Sequence, residues 1–361
     1  MITAHINRIG TAVPANDIHA PFIAFARTLL TDDKLRAVFD RMAERSGIAH
    51  RYSSLRAGNV SAGEVDADGF YRRGRFPRTG ARMVLYETQA LALALRAVDA
   101  LGIAAERQRI THLVVASCTG FTAPGLDLQL GERLGLRADV ARTLVGFMGC
   151  SAAVPALRLA QQAVRSDASA RVLVVNLELC SLHLQEVSDI ETVLSFLLFG
   201  DGCAAALVTA DATGIALRDF RAAVISDSQD LITWQIGDEG FRMYLSGKVP
   251  GRIAGALRDE LARAADDDAG LLRGEGTQAI GLWAVHGGGR TVLDAVEVGL
   301  GLDSSALRHS RAVLRDYGNM SSATVMFVLA RMLAEGTAGE RGFAMAFGPG
   351  MVAETFRFSL V

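Results

Sequence analysis

Cys150 is the residue of this sequence best placed to act as a nucleophile. It follows an apolar stretch, 143–149, and precedes small residues that lead into apolar positions at helical spacing. A thiol at a helix start faces unpaired backbone N–H groups and the positive end of the helix dipole, and both favour the thiolate. The alternative is a core residue, because free cysteine is among the most buried side chains. The stretch alone leaves both interpretations open.

Two polar residues in the second half of the chain complete a chemical set with Cys150. His286 ends the apolar segment 280–285 and precedes three glycines, and Asn319 opens a second small-residue helix. A Cys150 thiolate can accept an acyl group from a thioester, with His286 as the cationic partner that keeps the thiol ionised. His286 and Asn319 can donate hydrogen bonds to the enolate formed when a malonyl thioester loses carbon dioxide. Taken singly, each of these two residues also has an ordinary structural explanation. A histidine is common in a turn, and an asparagine is a favoured helix cap.

The two halves of the chain repeat one order of elements. Buried strands at 111–117 and 280–285 are each followed by a glycine-containing loop, and Cys150 and Asn319 each open a small-residue helix. Phe-Gly-Asp-Gly at 199–202 and Phe-Gly-Pro-Gly at 347–350 each precede another strand. The repeat predicts a layered α/β fold of two pseudo-twofold halves, 1–215 and 216–361. On that symmetry Cys150 and Asn319 are counterparts, and packing of the two helices would bring them together.

Composition excludes several other classes of function. The 361 residues are 50% hydrophobic with a net charge of −2, so the chain is too apolar to be disordered and lacks a basic field for nucleic acid or an anionic membrane. The four cysteines form no CxxC pair, which argues against a zinc site or a disulfide framework. We therefore expect no bound metal and a reduced, cytoplasmic setting. No apolar run is long enough to span a bilayer, and the first residues lack the pattern of a signal peptide.

Four local predictions concern the first 101 residues. Residues 2–13 alternate like a strand, 22–45 are expected to form one helix, and 83–101 another. Arg41 and Arg45 fall on one side of the first of these helices. Residues 56–80, rich in Gly, Arg and Asp, are expected to form a long surface excursion.

Five motifs together resemble the type III polyketide synthases, the chalcone synthase-like family. They are Gly-Cys at 149–150, Phe-Gly-Asp-Gly at 199–202, His-Gly-Gly-Gly at 286–289, Tyr-Gly-Asn-Met-Ser-Ser at 317–322 and Phe-Gly-Pro-Gly at 347–350. The resemblance runs from 2 to 358. It implies a thiolase-like αβαβα fold and a homodimer that loads an acyl-CoA starter on Cys150, extends it with malonyl-CoA and cyclises the product. It implies no cofactor and no obligatory carrier protein.

The same resemblance implies roles for other positions. Phe199 matches the family's gatekeeper between the CoA tunnel and the cavity, and Arg41, Arg45, Gly288 and Gly289 fall in the region that binds CoA. Seven residues fall at substrate-pocket positions: Cys118, Cys180, His183, Ser195, Trp234, Met243 and Ser321.

The departures from the plant pattern fall on the cavity walls. Trp234 stands where chalcone synthases have glycine, Met243 where they have phenylalanine, and Cys180 and His183 where they have threonines. Some of these substitutions introduce larger side chains and others smaller ones. The sequence therefore leaves open the starter, the number of extensions and the mode of cyclisation. Alkyl- or aryl-pyrones and resorcinols are the products it favours.

Two alternatives remain at this point. Type III ketoacyl carrier-protein synthases share Cys, His and Asn, but their histidine usually lies in a His-Gln-Ala-Asn motif, whereas three glycines follow His286. A non-catalytic subunit of the same fold tends to lose the nucleophile, and Cys150 is intact.

Overall fold

The computed structural model describes residues 2–263, 270–272 and 276–361. The strands in these ranges are β1 (Ala4–Ala12), β2 (Asn16–Asp17), β3 (Tyr52–Ser53), β4 (His112–Ser117), β5 (Ala141–Gly146), β6 (Val172–Leu179), β7 (Asp201–Thr209), β8 (Ile215–Val224), β9 (Ile232–Gly237), β10 (Gly240–Leu245), β11 (Leu282–Val285), β12 (Arg341–Gly348) and β13 (Val352–Leu360). The α-helices are α1 (His19–Leu29), α2 (Asp33–Arg45), α3 (Thr79–Leu101), α4 (Leu126–Leu134), α5 (Ala153–Ser166), α6 (Ile190–Phe196), α7 (Val249–Leu261), α8 (Arg290–Leu300), α9 (Arg308–Tyr317) and α10 (Ala323–Glu335).

The main sheet shows the internal repeat directly. Its nine strands run in the order β11-β12-β13-β8-β1-β7-β6-β4-β5. In the first half β4 pairs parallel with β6, and β6, β7 and β1 pair antiparallel in turn. In the second half β11, β12, β13 and β8 repeat that parallel, antiparallel, antiparallel pattern. The predicted pseudo-twofold organisation is confirmed, and a short β1–β8 ladder joins the two halves into one sheet.

Side-chain alternation along the strands separates the layers. On β4, Val114 and Ala116 face a core shared with α5 and α10, whereas Leu113 and Val115 face α3 and α4. On β11, Ala284 belongs to the shared core, and its neighbours Trp283 and Val285 pack with α7 and α8. Helices α5 and α10 therefore form the central layer of an αβαβα arrangement, as predicted.

The start of the chain differs from its prediction. Residues 22–45 form not one helix but part of α1 and the whole of α2, because the Asp32 carboxylate caps a new helix by accepting the Lys34 N–H at 2.7 Å. Residues 56–80 are also more than a surface excursion. Tyr71 and Phe76 are buried in a cluster with α1, α2 and α6, and the Asp66 carboxylate accepts the N–H groups of Asp68, Phe70 and Tyr71.

In the described ranges, no helix combines the length and the apolar character that crossing a membrane requires.

Candidate active site

Cys150 lies on a short turn between β5 and α5. The turn, Gly149–Ser151, is a 3-10 helix, and α5 begins at Ala153. Gly149 has φ of 62°, and a Cβ there would lie 2.3 Å from Cδ of Pro349, so only glycine fits. This close approach of the two halves fixes the position of the next residue. Cys150 is half-buried, whereas Cys118, Cys180 and Cys203 are buried.

Asn319 lies just after α9, beyond the positive-φ residue Gly318. Its backbone N–H donates to the carbonyl of Leu198 at 2.8 Å, and its carbonyl accepts from the N–H of Gly200 at 3.0 Å. Its side-chain Nδ2 donates to the carbonyl of Gly288 at 3.2 Å, and its Oδ1 accepts the Ser321 N–H at 2.8 Å. The amide is therefore held in one orientation by both of its ends.

The three predicted catalytic residues converge. The hydrogen-bonding side chains of Ser321 and Asn319 lie close enough to the Cys150 thiol to lower its pKa. Asn319 in turn contacts Gly288, and a Cβ on Gly288 would lie 3.6 Å from Nε2 of His286. His286 follows β11, is 1% exposed, and has no hydrogen-bond partner for either ring nitrogen among the described residues. Its imidazole is thus free to exchange a proton or to contact a bound substrate.

Burial governs the pKa of both titratable groups. It raises the pKa of the Cys150 thiol to about 11, against the opposing effect of the hydrogen bonds from Ser321 and Asn319. It lowers the pKa of the His286 imidazole to about 4. The sequence predicted a thiolate stabilised by a helix start, but the thiol lies on the 3-10 turn and loses hydration. Each group taken alone is neutral near pH 7, and transfer of the thiol proton to the imidazole would generate the thiolate.

This proton transfer predicts an unusual pH dependence. It changes no net charge, and the attraction between the imidazolium and the thiolate favours it over ionisation of the thiol alone, so we expect the alkylation rate of Cys150 by iodoacetamide to stay nearly constant from about pH 6 to about pH 9. In His286→Ala the thiol must ionise alone, and its slower rate should rise about tenfold per pH unit below the thiol pKa. Peptide mass mapping measures both rates, with buried Cys203 as an internal control that reacts only on unfolding. A wild-type rate with the same steep rise would contradict the pairing.

Glu178 is a member of the site that the sequence analysis missed. It is fully buried at the end of β6, where it accepts the Cys118 N–H at 3.0 Å and the hydroxyls of Thr119 at 2.9 Å and Ser322 at 2.5 Å. Burial raises the pKa of this carboxyl to about 7. The carboxyl connects the loop after β4 to the residues before α10, and so fixes Ser321 beside the thiol. A single glutamate in an apolar strand carries no sequence signal for this role.

Six of the seven predicted pocket residues line one small cavity of about 20 Å³. Its walls are Cys118, Thr119, Cys180, His183, Phe196, Phe199, Trp234, Met243 and Ser321. Ser195 does not line it, because its hydroxyl turns back to donate to the Thr192 carbonyl at 2.7 Å, and its neighbour Phe196 contributes instead. Phe199, the predicted gatekeeper, pairs through its backbone with Asn319.

Trp234 and His183 form a fixed wall of this cavity. Trp234 Nε1 donates to the Cys118 carbonyl at 2.8 Å, and its ring meets His183 edge-on. His183 stacks on Phe241, accepts the Phe241 N–H on Nδ1 at 3.0 Å, and donates from Nε2 to the Thr119 carbonyl at 2.7 Å. Burial lowers the pKa of His183 to about 3, so it is a neutral packing residue rather than an acid or base.

The predicted CoA-binding residues lie on the surface and in the histidine loop. Arg41 and Arg45 are exposed on α2, while Gly288 and Gly289 directly precede α8. An open pocket of about 350 Å³ adjoins the end of α2, and its lining consists of Gly47, Arg290, Arg308, Arg311, Ala312, Leu314 and Arg315. This arginine pocket carries no sequence signal, because α2, α8 and α9 bring its members together from distant positions.

Comparison with known proteins fits this geometry. The model of the N-terminal domain of chalcone and stilbene synthases matches residues 2–212, and that of their C-terminal domain matches residues 217–361. The chain belongs to the chalcone and stilbene synthase family. It is therefore a type III polyketide synthase, an acyl-transferring condensing enzyme, rather than a ketoacyl carrier-protein synthase.

Several relatives of this synthase family resemble the chain over most of its length. Bisdemethoxycurcumin synthase of Oryza sativa subsp. japonica is 35% identical over 97% of this chain and 91% of that protein. The alpha-pyrone synthesis polyketide synthase-like protein Pks18 of Mycobacterium tuberculosis (strain ATCC 25618 / H37Rv) is 33% identical over 78% of this chain and 73% of its own length.

Solved structures of other polyketide synthases share the fold. PKS-I from the brown alga Ectocarpus siliculosus superposes with a TM-score of 0.85 at 30% identity, covering 100% of this chain and 99% of that one. The C-terminal type III polyketide synthase domain of Steely1 from Dictyostelium gives a TM-score of 0.86 at 23% identity, with 99% of each chain covered. At 23% identity, the likeness to the Steely1 domain supports a shared fold and nothing further.

Proposed function

We propose that Cys150 accepts the acyl group of an acyl-CoA starter and that His286 and Asn319 support decarboxylation of malonyl-CoA beside it. The observation that carries this proposal is the position of the Asn319 amide, which donates to the Gly288 carbonyl close to His286 and lies close enough to the Cys150 thiol to lower its pKa. The Asn319 amide and the His286 imidazole thus belong to the same site as the Cys150 thiol. They can donate to a thioester oxygen there.

Loading begins when His286 takes the thiol proton. The Cys150 sulfur attacks the thioester carbonyl of the starter, the carbon–sulfur bond to CoA breaks, and the CoA thiolate leaves with the proton held by His286. The products are acyl-Cys150 and free CoA. Burial of the imidazole favours its return to the neutral form.

Extension uses the same two donors. A malonyl thioester loses carbon dioxide, and the electrons of the broken bond form an enolate whose oxygen accepts hydrogen bonds from Asn319 and His286. The enolate carbon attacks the acyl-Cys150 carbonyl and releases the Cys150 thiolate. The chain is then two carbons longer and remains on CoA until it is transferred back to Cys150 or cyclised.

The product proposed is a pyrone, resorcinol or related polyphenol, made from malonyl-CoA without a cofactor. Support comes from the relatives whose names specify bisdemethoxycurcumin and alpha-pyrone synthesis, and from the small cavity that Trp234 lines together with Ser321. Side chains alone supply the acid, base and hydrogen-bond donors that this chemistry needs. Incubation with malonyl-CoA and a panel of short, long and aromatic acyl-CoA thioesters, followed by mass analysis, tests the proposal. Absence of any chain extended by two-carbon units would contradict it.

The CoA phosphates are proposed to bind between Arg41 and Arg45 on α2 and the arginine pocket. Arg311 is already paired with Asp294 and Glu297, at 2.6 and 2.5 Å. Arg290 begins α8, and its Nη1 donates to the Arg45 carbonyl at 3.3 Å, which ties the pocket to α2. Arg308 forms no ion pair within the described part of the chain and is exposed, so it is available for a phosphate.

Removing two of these charges should weaken binding of CoA but not the chemistry. For Arg308→Ala combined with Arg315→Ala we expect KM for malonyl-CoA to rise about tenfold with kcat nearly unchanged, because phosphate contacts are equal in ground and transition states. A malonyl thioester of pantetheine, which lacks the phosphates, should show no change. Arg137→Ala, which removes an exposed arginine paired with Asp139, is the matched control. An equal loss with the pantetheine thioester would contradict the assignment.

We also propose that the protein is a homodimer and acts in the cytoplasm. The edge strand β5, the turn after it and the loop after β4 expose apolar side chains, with Leu144 42%, Met148 40% and Phe121 38% exposed. Such a group on a sheet edge favours contact with a second copy. Four free cysteines fit a reducing compartment. Analytical ultracentrifugation measures the oligomeric state.

A further inference from the structure

Asn319 is held by a short backbone ladder with the segment that contains Phe199. Its N–H donates to the Leu198 carbonyl at 2.8 Å, and its carbonyl accepts the Gly200 N–H at 3.0 Å. The pairing is a parallel bridge between Phe199 and Asn319. The position of the Asn319 amide therefore depends on the position of residues 198–200.

One buried side chain fixes the segment that contains Phe199. Arg51 is 1% exposed, and its Nη1 donates to the carbonyls of Phe196 at 2.8 Å and Phe199 at 2.7 Å. Phe196 is the last residue of α6, and the final carbonyls of a helix have no partner within it. The two bonds thus span the turn between α6 and β7. Because the donor is charged, these bonds are stronger than those from a neutral group.

The stem of Arg51 packs against the other segment of the ladder. A Cβ on Gly318, the residue before Asn319, would lie 2.6 Å from Cγ and 2.9 Å from Cδ of Arg51. Gly318 also has φ of 69°, so both its conformation and this close approach require glycine. Arg51 therefore contacts both segments, since its guanidinium bonds to one and its methylene groups pack against the other.

Arg51 is itself fixed by its neighbours. Its Nε donates to Nδ1 of His19 at 3.0 Å. Burial, and then the charge of Arg51, lower the pKa of His19 to about 4, so this imidazole stays a neutral acceptor. The N–H groups of the two preceding residues, Ala49 and His50, donate to the carbonyl of Arg315 near the end of α9, at 2.8 and 3.1 Å. These contacts tie Arg51 to the helix that leads to Asn319.

We propose that Arg51 is a positioning residue for the decarboxylation step. Through its bond to the Phe199 carbonyl and its packing against Gly318, it holds the Asn319 amide where the enolate oxygen forms. The inference rests on the proposed function, in which Asn319 donates to that oxygen. A donor displaced from the position of a developing charge loses much of its effect on the rate.

Replacement of Arg51 by methionine tests this role. Arg51→Met keeps most of the stem that packs against Gly318 but removes the bonds to His19, Phe196 and Phe199. We expect kcat for malonyl-CoA decarboxylation, measured without a starter, to fall about ten- to hundredfold. KM should change little, because the arginines proposed to bind the CoA phosphates remain. Alkylation of Cys150 by iodoacetamide should stay within about twofold of the wild-type rate, since the thiol and its proton acceptor are unaltered.

Arg82→Met is the matched control. Arg82 is also buried, and its Nη1 donates to the carbonyls of Leu182 at 2.9 Å and Leu184 at 2.8 Å. These bonds brace the segment after β6 rather than the ladder of Asn319. Arg82→Met should lower the temperature of thermal unfolding as Arg51→Met does, but its kcat for decarboxylation should stay near wild type.

Arg51→Lys measures how far a conservative replacement restores the role. It keeps the stem and one charged donor, so it should recover part of the lost kcat but remain at least about threefold below wild type. It also carries the test if Arg51→Met does not fold. Wild-type kcat in Arg51→Lys, or an equal fall in kcat for Arg82→Met and Arg51→Met, would overturn the proposal and leave the proposed function intact. Wild-type enzyme that releases no carbon dioxide from malonyl-CoA would contradict the proposed function and this role with it.

Discussion

Cys150→Ala is expected to abolish polyketide formation, by about 10⁴-fold or more, while malonyl-CoA decarboxylation continues slowly. The variant has no atom that can hold the acyl group, so no condensation partner exists for the enolate. Decarboxylation persists because Asn319 keeps its bonds to Gly288 and Ser321, and the His286 imidazole is unaltered. Product masses and carbon dioxide release measure the two reactions separately.

Cys203→Ala is the control for this variant. Cys203 is a buried, free cysteine on β7 that packs with α3 and α4, away from the thiol of Cys150. Its replacement should leave both reactions close to wild type, at a cost in unfolding free energy of about 1 kcal/mol. Product formation by Cys150→Ala at the wild-type rate would contradict the role of nucleophile.

Asn319→Ala is expected to lower both decarboxylation and condensation by about 10²- to 10³-fold, because one of two donors to the enolate oxygen is lost. Alkylation of Cys150 by iodoacetamide should continue, since the thiol and His286 remain. The variant also leaves the buried Ser321 N–H and Gly288 carbonyl unpaired, and we expect its unfolding free energy to fall by about 1–3 kcal/mol. Initial rates of carbon dioxide release and thermal unfolding measure the two effects.

Asn176→Ala separates the catalytic effect from the loss of a buried amide. Asn176 is fully buried on β6, and its side-chain atoms have no hydrogen-bond partner in the described ranges. Removing it should leave the decarboxylation rate near wild type. If Asn176→Ala and Asn319→Ala slowed decarboxylation equally, a specific role for the Asn319 amide would be untenable.

The central features of the site could be predicted because local motifs and a repeat coincide. Cys150, His286 and Asn319 each follow or precede glycine at the end of a predicted element, and the repeat places Cys150 and Asn319 at equivalent positions. The repeated pairing order of the sheet confirms the repeat itself. The layered fold followed from the same repeat.

The features that were missed depend on contacts between distant parts of the chain. Glu178 and Arg51 are ordinary charged residues in sequence, and only folding buries them beside Ser322 and Phe199. The break between α1 and α2 depends on a single cap at Asp32. The pKa of Cys150 reflects loss of hydration, which a helix-start motif does not reveal. Ser195 failed as a pocket residue because its hydroxyl bonds within its own helix.

Peptide mass mapping of the acyl-enzyme is the most direct test of acyl loading. The enzyme is incubated with a starter acyl-CoA, digested and mapped, and a second sample is chased with malonyl-CoA before digestion. We predict that the acyl group is found on Cys150 and on none of the other three cysteines, and that the chase removes it as a product longer by two-carbon units appears. Product formation with the acyl group on Cys118, Cys180 or Cys203, or with Cys150 never acylated, would contradict the account.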